Sequence, residues 1–268
     1  MQWISDLRNI IDRREILKIR LKDILKGLLL LIIIADINAA ELKISEINSS
    51  ELNSSELSLA LYYDEVEEGV EAQHMRYLIN DRFLRIDNGR EQADFILFDI
   101  DKKIIYSVNH DDQTILKIDN IPWKMPEWKS PEFKFSVSDK LEIVQGAPEV
   151  HNKPVYNYQL SADNKVCTQV FLIKDTYAAQ MNILYLYQQV LSGQQVATLK
   201  NTPVEFHTPC FLTDQVYHAG DYYHLGLPLQ ITYSRGYMKL LKDFREISVN
   251  KNLFVLPEKY KLYKAFSE

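Results

Sequence analysis

Between Leu57 and Ile118 the chain repeats one pattern: a short apolar run, a polar turn pair, another short run. "LSLALYYDEV", "VEAQHMRYLI", "DRFLRID", "ADFILFDID", "KIIYSV" and "QTILKI" follow one another, broken by Asn80-Asp81, Asp101-Lys102 and the polar "NHDD" at 109–112. No segment in this stretch is long enough and suitably periodic for a helix. The pattern therefore predicts an antiparallel meander of short strands. In "DRFLRID" the period of two sends Leu84 and Ile86 to one face and Phe83, Arg85 and Asp87 to the other. "ADFILFDID" is apolar on both faces, as a strand covered on both sides is. The 16 Tyr add to the strand signal, since aromatic residues suit pleated, half-buried surfaces.

"IPWKMPEWKSPEF", 121–133, has three prolines and two tryptophans and is expected to be a crossing loop or lid. Strands are expected again at 134–144, 154–161 and 165–174. "TYAAQMNILYLYQQVL" changes the period: Tyr177, Met181, Leu184, Tyr185 and Leu191 outline one helical face, predicting a helix over 176–199 with a weak point at Gly193. Asp175 or Thr176 is placed to cap it. "PLQITYS", "GYMKLLKDFREISV" and "LFVLPEKYKL" return to strands. The expected fold is mainly β (α+β): a curved antiparallel unclosed barrel with one main helix packed on its concave face.

The N-terminus has the order of a secretory signal. Basic residues in "RREILKIRLKDILK" precede the nine-residue apolar run Gly27–Ala35, and the small residues of "NAA" follow at 38–40. The run is too short to span a bilayer, which takes about 20 residues. The expected organisation is a signal peptide at 1–40, a disordered leader at 41–56 built on "SEINSSELNSSELS", and one domain at 57–268. Without 1–40 the chain keeps 24 basic and 32 acidic residues, a net charge of −8. That balance, with no basic aromatic stripe, argues against nucleic acid as a partner. Export makes Cys167 and Cys210 an expected disulfide. Their 43-residue separation lacks the short spacing of redox or zinc pairs.

No reaction is legible. There is no G-x-S-x-G, and only 8 Gly occur in the chain. His218, Asp221 and His224 form a conceivable metal cluster, more simply read as a polar loop, and "NHDD" at 109–112 could bind a cation but reads more simply as a solvated hairpin turn. Asp94 and Asp99 differ by an odd number and do not share a strand face. No cofactor and no catalytic residue are expected.

"MRYLINDRFLRIDNG", "FILFDIDKKIIYSV" and "TILKI", closed by "GLPLQITY" and the F-x-x-P-x-x-Y element of "LFVLPEKYKLY", resemble the lipoprotein-carrier (LolA/LolB-like) fold of periplasmic proteins, over residues 57 to 264. The resemblance implies an incomplete barrel shielding an acyl chain, without chemistry. It implies a hydrophobic ligand or a lipoprotein acyl chain as partner, and an arginine, Arg82 or Arg85, that holds a lid. The expected cavity wall is Phe83, Phe95, Phe98, Tyr106, Met181, Leu184 and Tyr185, with Trp123 and Trp128 at the rim. The alternative is an interaction or sensor module whose interior is filled by its own side chains and which binds an envelope protein.

Overall fold

The structure, a computed structural model, describes residues 55–265 apart from 91, 123–134, 200 and 202. The signal segment, most of the leader, and Trp123 and Trp128 lie outside the described residues. Twelve strands form one sheet. They are β1 (Ser55–Glu67), β2 (Gln73–Ile79), β3 (Phe83–Asp87), β4 (Phe95–Asp99), β5 (Ile104–Asn109) and β6 (Thr114–Ile118), then β7 (Val137–Ile143), β8 (Val155–Ala162), β9 (Lys165–Lys174), β10 (Gly226–Tyr233), β11 (Tyr237–Asn250) and β12 (Lys261–Lys264). Their order across the sheet is β12-β6-β5-β4-β3-β2-β1-β11-β10-β9-β8-β7. The sheet is curved and open, and every pairing is antiparallel except that of β12 with β6. "GYMKLLKDFREISV", where Leu241, Phe244 and Ile247 also suit a helical face, is a strand because β1 pairs with it along its whole length.

Local chemistry sets the turns. The Asn80 Oδ1 accepts from the backbone N–H of Arg82 at 2.9 Å and of Phe83 at 2.6 Å, closing the β2–β3 corner. Asp163 and Asn164 both take positive φ between β8 and β9, as a two-residue hairpin turn requires.

The main helix, α1 (Ala178–Leu199), lies on the concave face, two residues shorter at its start than the periodicity predicts. Tyr177 precedes it rather than forming part of it. The helix runs unbroken through Gly193, which is buried. A second layer runs beside it. α2 (Pro209–Phe211) begins with Thr208 Oγ1 accepting from the Phe211 N–H, continues as a π-helical turn (Leu212–Tyr217), and is followed by a 3-10 turn (Asp221–His224). Gln189 Nε2 donates to the Ala219 carbonyl at 2.9 Å and Ser192 Oγ to the Val216 carbonyl at 2.7 Å, fixing the two layers together. The Cys167–Cys210 disulfide ties this layer to β9, as expected. Among the described residues no helix is long and apolar enough to cross a membrane.

Two boundaries differ from expectation. Ser55 and Glu56 belong to β1, not to a disordered leader, because they pair with Asn250 and Val249. "LFVLPEKYKL" is not a continuous strand: Lys251–Phe254 is a 3-10 turn, and pairing resumes only at Lys261, after Pro257. Asn250 Oδ1 caps the turn by accepting from the Asn252 N–H, and this carries the chain onto the outer face of the sheet.

Candidate functional site

Strand register divides the expected cavity wall in two. Leu84 sits opposite Phe98, and Arg85 opposite Leu97. Leu97 in turn lies opposite Tyr106, and Phe95 opposite Val108. Directly opposed residues share a face. Phe98 therefore points inward, where its ring meets Tyr187 of α1 at 5.8 Å. Phe83, Phe95 and Tyr106 point outward into a separate cluster with Ala60, Leu78, Leu97 and Phe254. Two faces of one sheet cannot line one cavity, so the seven residues do not form a single wall. Met181 and Leu184 are 0% and 2% exposed, and Tyr185 lies half-buried against His224, ring to ring at 4.0 Å.

The outer cluster is covered by the chain's own C-terminus. Phe254 stacks on Phe83 with centroids 5.9 Å apart. The Tyr260 hydroxyl and His110 Nδ1 are 2.7 Å apart, and β12 closes the strap along β6. Arg85 is the grip. Its guanidinium lies 3.7 Å from the Phe95 ring centroid, donates to the Leu253 carbonyl at 2.6 Å and to Asp87 at 2.6 Å. Arg76 adds a two-pronged contact to Asp87 at 2.9 Å on each oxygen. Burial would raise the Asp87 carboxyl, but these donors outweigh it and hold it below the usual range. Arg82 is exposed, 3.8 Å from Asp101, and holds nothing down. Of the two arginines, only Arg85 grips a covering segment.

The inner face carries a cluster that the sequence reading did not single out. Glu65 of β1 is buried and accepts from the Tyr77 hydroxyl at 2.6 Å and the Tyr237 hydroxyl at 2.7 Å, with Lys239 Nζ at 3.0 Å. Burial pushes its carboxyl up, yet Lys239 and the two hydroxyls bring it down to about 2. Tyr63 donates to the Pro228 carbonyl at 3.2 Å, and the Tyr222 and Tyr233 hydroxyls are 3.0 Å apart. Burial, reinforced by the Glu65 charge, pushes Tyr63, Tyr77, Tyr187 and Tyr237 far up, so they stay protonated donors. The cluster satisfies itself. One signal was available: Glu65 shares a face with Tyr63 at i, i+2, so a carboxylate was due among aromatics.

At the edge of this layer Asp214, on the π-helical turn, is pushed up to about 6 by burial, which Arg235 at 3.5 Å only partly offsets. His218 Nδ1 pairs with Asp221 at 2.9 Å while His224 turns to Tyr185, so the three do not converge. Among the described residues no group of three His, Cys, Asp or Glu side chains is placed to hold a metal.

The sheet also forks. β10 pairs with β11 only over Gln230–Thr232 and Met238–Leu240, and beyond Leu240, among the described residues, the strand β11 pairs with β1 alone. A bulge lies beside the fork on each arm, between Pro228 and Gln230 and opposite Tyr62/Tyr63, and bulges increase local twist. Phe244 faces the opening, its ring 4.5 Å from that of His151 and 6.1 Å from that of Tyr177. Tyr177 takes φ 52, a conformation bulky residues avoid. Lys153 braces that corner through the carbonyls of Lys174 and Asp175 and the Thr176 hydroxyl.

No family model matches the chain, and no curated protein matches it. Among solved structures the chain is similar to PNGF-II in a C2 and a P21 crystal form, at 8% and 9% identity and TM-scores of 0.36 and 0.37. Each match covers 78% of this chain and 31% or 32% of the other, so the chain spans about a third of the length of the solved chains it matches.

Proposed function

We propose that this chain is an exported, non-catalytic interaction module whose interior is filled by its own side chains. The observation that supports this reading is the closure of the concave face. α1 and the Glu65–tyrosine cluster occupy the space where an acyl chain would lie, and the bonding groups of that cluster are used within the chain. An acyl carrier keeps an apolar concavity open for its cargo. Here the residues at its centre, Met181, Leu184 and Phe98, are packed against the chain itself. The contact surfaces of such a module are its strand edges, above all the β11 arm of the fork with Phe244, His151 and Tyr177. An extended segment of an envelope protein adding to that edge pairs with the backbone groups that meet no second strand among the described residues. The disulfide supports the exported setting.

Mass spectrometry of organic extracts from purified protein, with titration of a fluorescent fatty acid, tests this reading. The expected result is no stoichiometric lipid and no saturable probe binding. A co-purifying acyl chain at one per molecule overturns it in favour of a lipid carrier.

A further inference from the structure

We infer that β7 is a self-complementary docking edge, and that its partner is a second copy of this chain joined antiparallel about a two-fold axis at Leu141. β7 ends the sheet and pairs with β8 alone, so the backbone groups along its other side meet no strand among the described residues. Six of its seven residues are exposed, and Leu141 alone is half-buried. Val137 and Ile143, the two ends of the strand, are 39% and 48% exposed, although both are strong β formers.

The charges select the register. In an antiparallel pair of identical strands, residue i faces residue j of the partner with i and j summing to a constant, and a two-fold contact repeats each pair twice. Centred on Leu141, Lys140 faces Glu142 of the partner subunit and Glu142 faces Lys140 of the partner subunit. Ile143 then faces Asp139 of the partner subunit and lies diagonally between the partner's Val137 and the partner's Leu141, within reach across the strand pair. A shift of the centre to residue 140 sets lysine against lysine. A shift to residue 142 sets glutamate against glutamate. Among these neighbouring registers that keep each side chain on its own face, only the one centred on Leu141 pairs opposite charges.

The same residues set the strength. Lys140 and Glu142 already pair within the chain at 2.7 Å, and both are well exposed. The dimer exchanges two internal pairs for two intermolecular ones, so the charges fix register and exclude wrong partners rather than add affinity. Attraction comes from the new backbone bonds and the Val137–Leu141–Ile143 row. One strand pair is a small interface, so the dimer is weak and concentration-dependent.

A charge exchange tests this. Light scattering with size-exclusion chromatography, and sedimentation equilibrium from about 10 µM to about 1 mM, spanning weak affinities, is expected to show a monomer–dimer equilibrium. Lys140→Glu alone places two acidic pairs across the axis, Glu142→Lys alone two basic ones, and each is expected to be monomeric at about the highest concentration. An equimolar mixture of the two variants restores complementarity and forms a heterodimer. The double variant Lys140→Glu/Glu142→Lys restores the homodimer. Because both side chains are exposed, circular dichroism and melting are expected to be unchanged. A monomeric parent across the whole range, or a dimer that ignores the single reversals, overturns the inference. Neither result bears on the lipid extraction, which probes the interior and not this edge.

Discussion

On the inner face of the first strands a carboxylate is buried under a helix; on the outer face of the neighbouring strands another is buried beneath the C-terminal strap. Glu65 receives its donors from Tyr77, Tyr237 and Lys239, all on strands of the sheet, so it binds β1, β2 and β11 to one another. Asp87 receives Arg76 and Arg85, and Arg85 reaches on to the Leu253 carbonyl. The inner charge therefore holds the sheet to itself, while the outer one holds a covering segment to the sheet. A carboxylate in apolar surroundings survives only when its oxygens are saturated. What the donors are attached to decides which parts of the molecule it joins.

The largest test of this contrast removes Glu65. Glu65→Ala leaves Lys239, whose side chain is only 14% exposed, without its carboxylate and is expected to cost about 3 kcal/mol in denaturant unfolding. Glu65→Leu with Lys239→Met is expected to recover most of that loss. A cost below about 1 kcal/mol, the worth of an exposed pair, would remove Glu65 as the inner anchor. The pH dependence has a fixed sign. The carboxyl is lowered from 4.5 to about 2, so its contribution is full above 4.5 and disappears as pH falls towards 2.

Phe254→Ala comes next. It deletes the ring stacked on Phe83 and is expected to cost about 3 kcal/mol. Amide exchange should quicken along Lys261–Lys264 and at Tyr260 and leave α1 unchanged. Loss of protection on α1 as well would show that the two faces are not independent.

The smallest effect has the opposite sign. Asp214 is a liability of the inner layer, because its carboxyl is raised from 3.8 to about 6. Its neutral form is the one the fold favours, so that stability is present below 3.8 and is lost as pH rises through about 6. Asp214→Asn is therefore expected to gain about 2 kcal/mol at pH 8, after the lost attraction to Arg235, and nothing below pH 4. Thermal melts at both pH values check it. A uniform shift at both would mean that packing, not ionisation, is responsible.

The contrast also marks where the sequence was legible. Alternation in "DRFLRID" assigned Leu84 and Ile86 to one face and Phe83, Arg85 and Asp87 to the other, and the register agrees. Phe254 and Tyr260, the aromatic positions of the F-x-x-P-x-x-Y element, hold the last segment against the sheet, but their spacing does not say on which face they dock. The expected wall mixed Phe83, Phe95 and Tyr106 with Phe98 and Met181 because apolar character says that a residue is buried and not under what. Tyrosine abundance registered only as a strand signal, since hydroxyl partners such as Tyr77, Tyr237 and Glu65 meet across 172 residues of chain.

By itself the sequence determined the strands, the one long helix, the cysteine pair and the mostly β class. These follow from periodicity and composition, which are local. Tertiary structure decided that the sheet carries a layer on each face, that the concave interior is taken by α1 and tyrosines, and that the fork opens beyond Leu240. Those outcomes depend on which strands become neighbours and in what register. Pairings between distant strands, such as β1 with β11 and β12 with β6, are fixed by the fit of whole surfaces and leave no periodic trace in the chain.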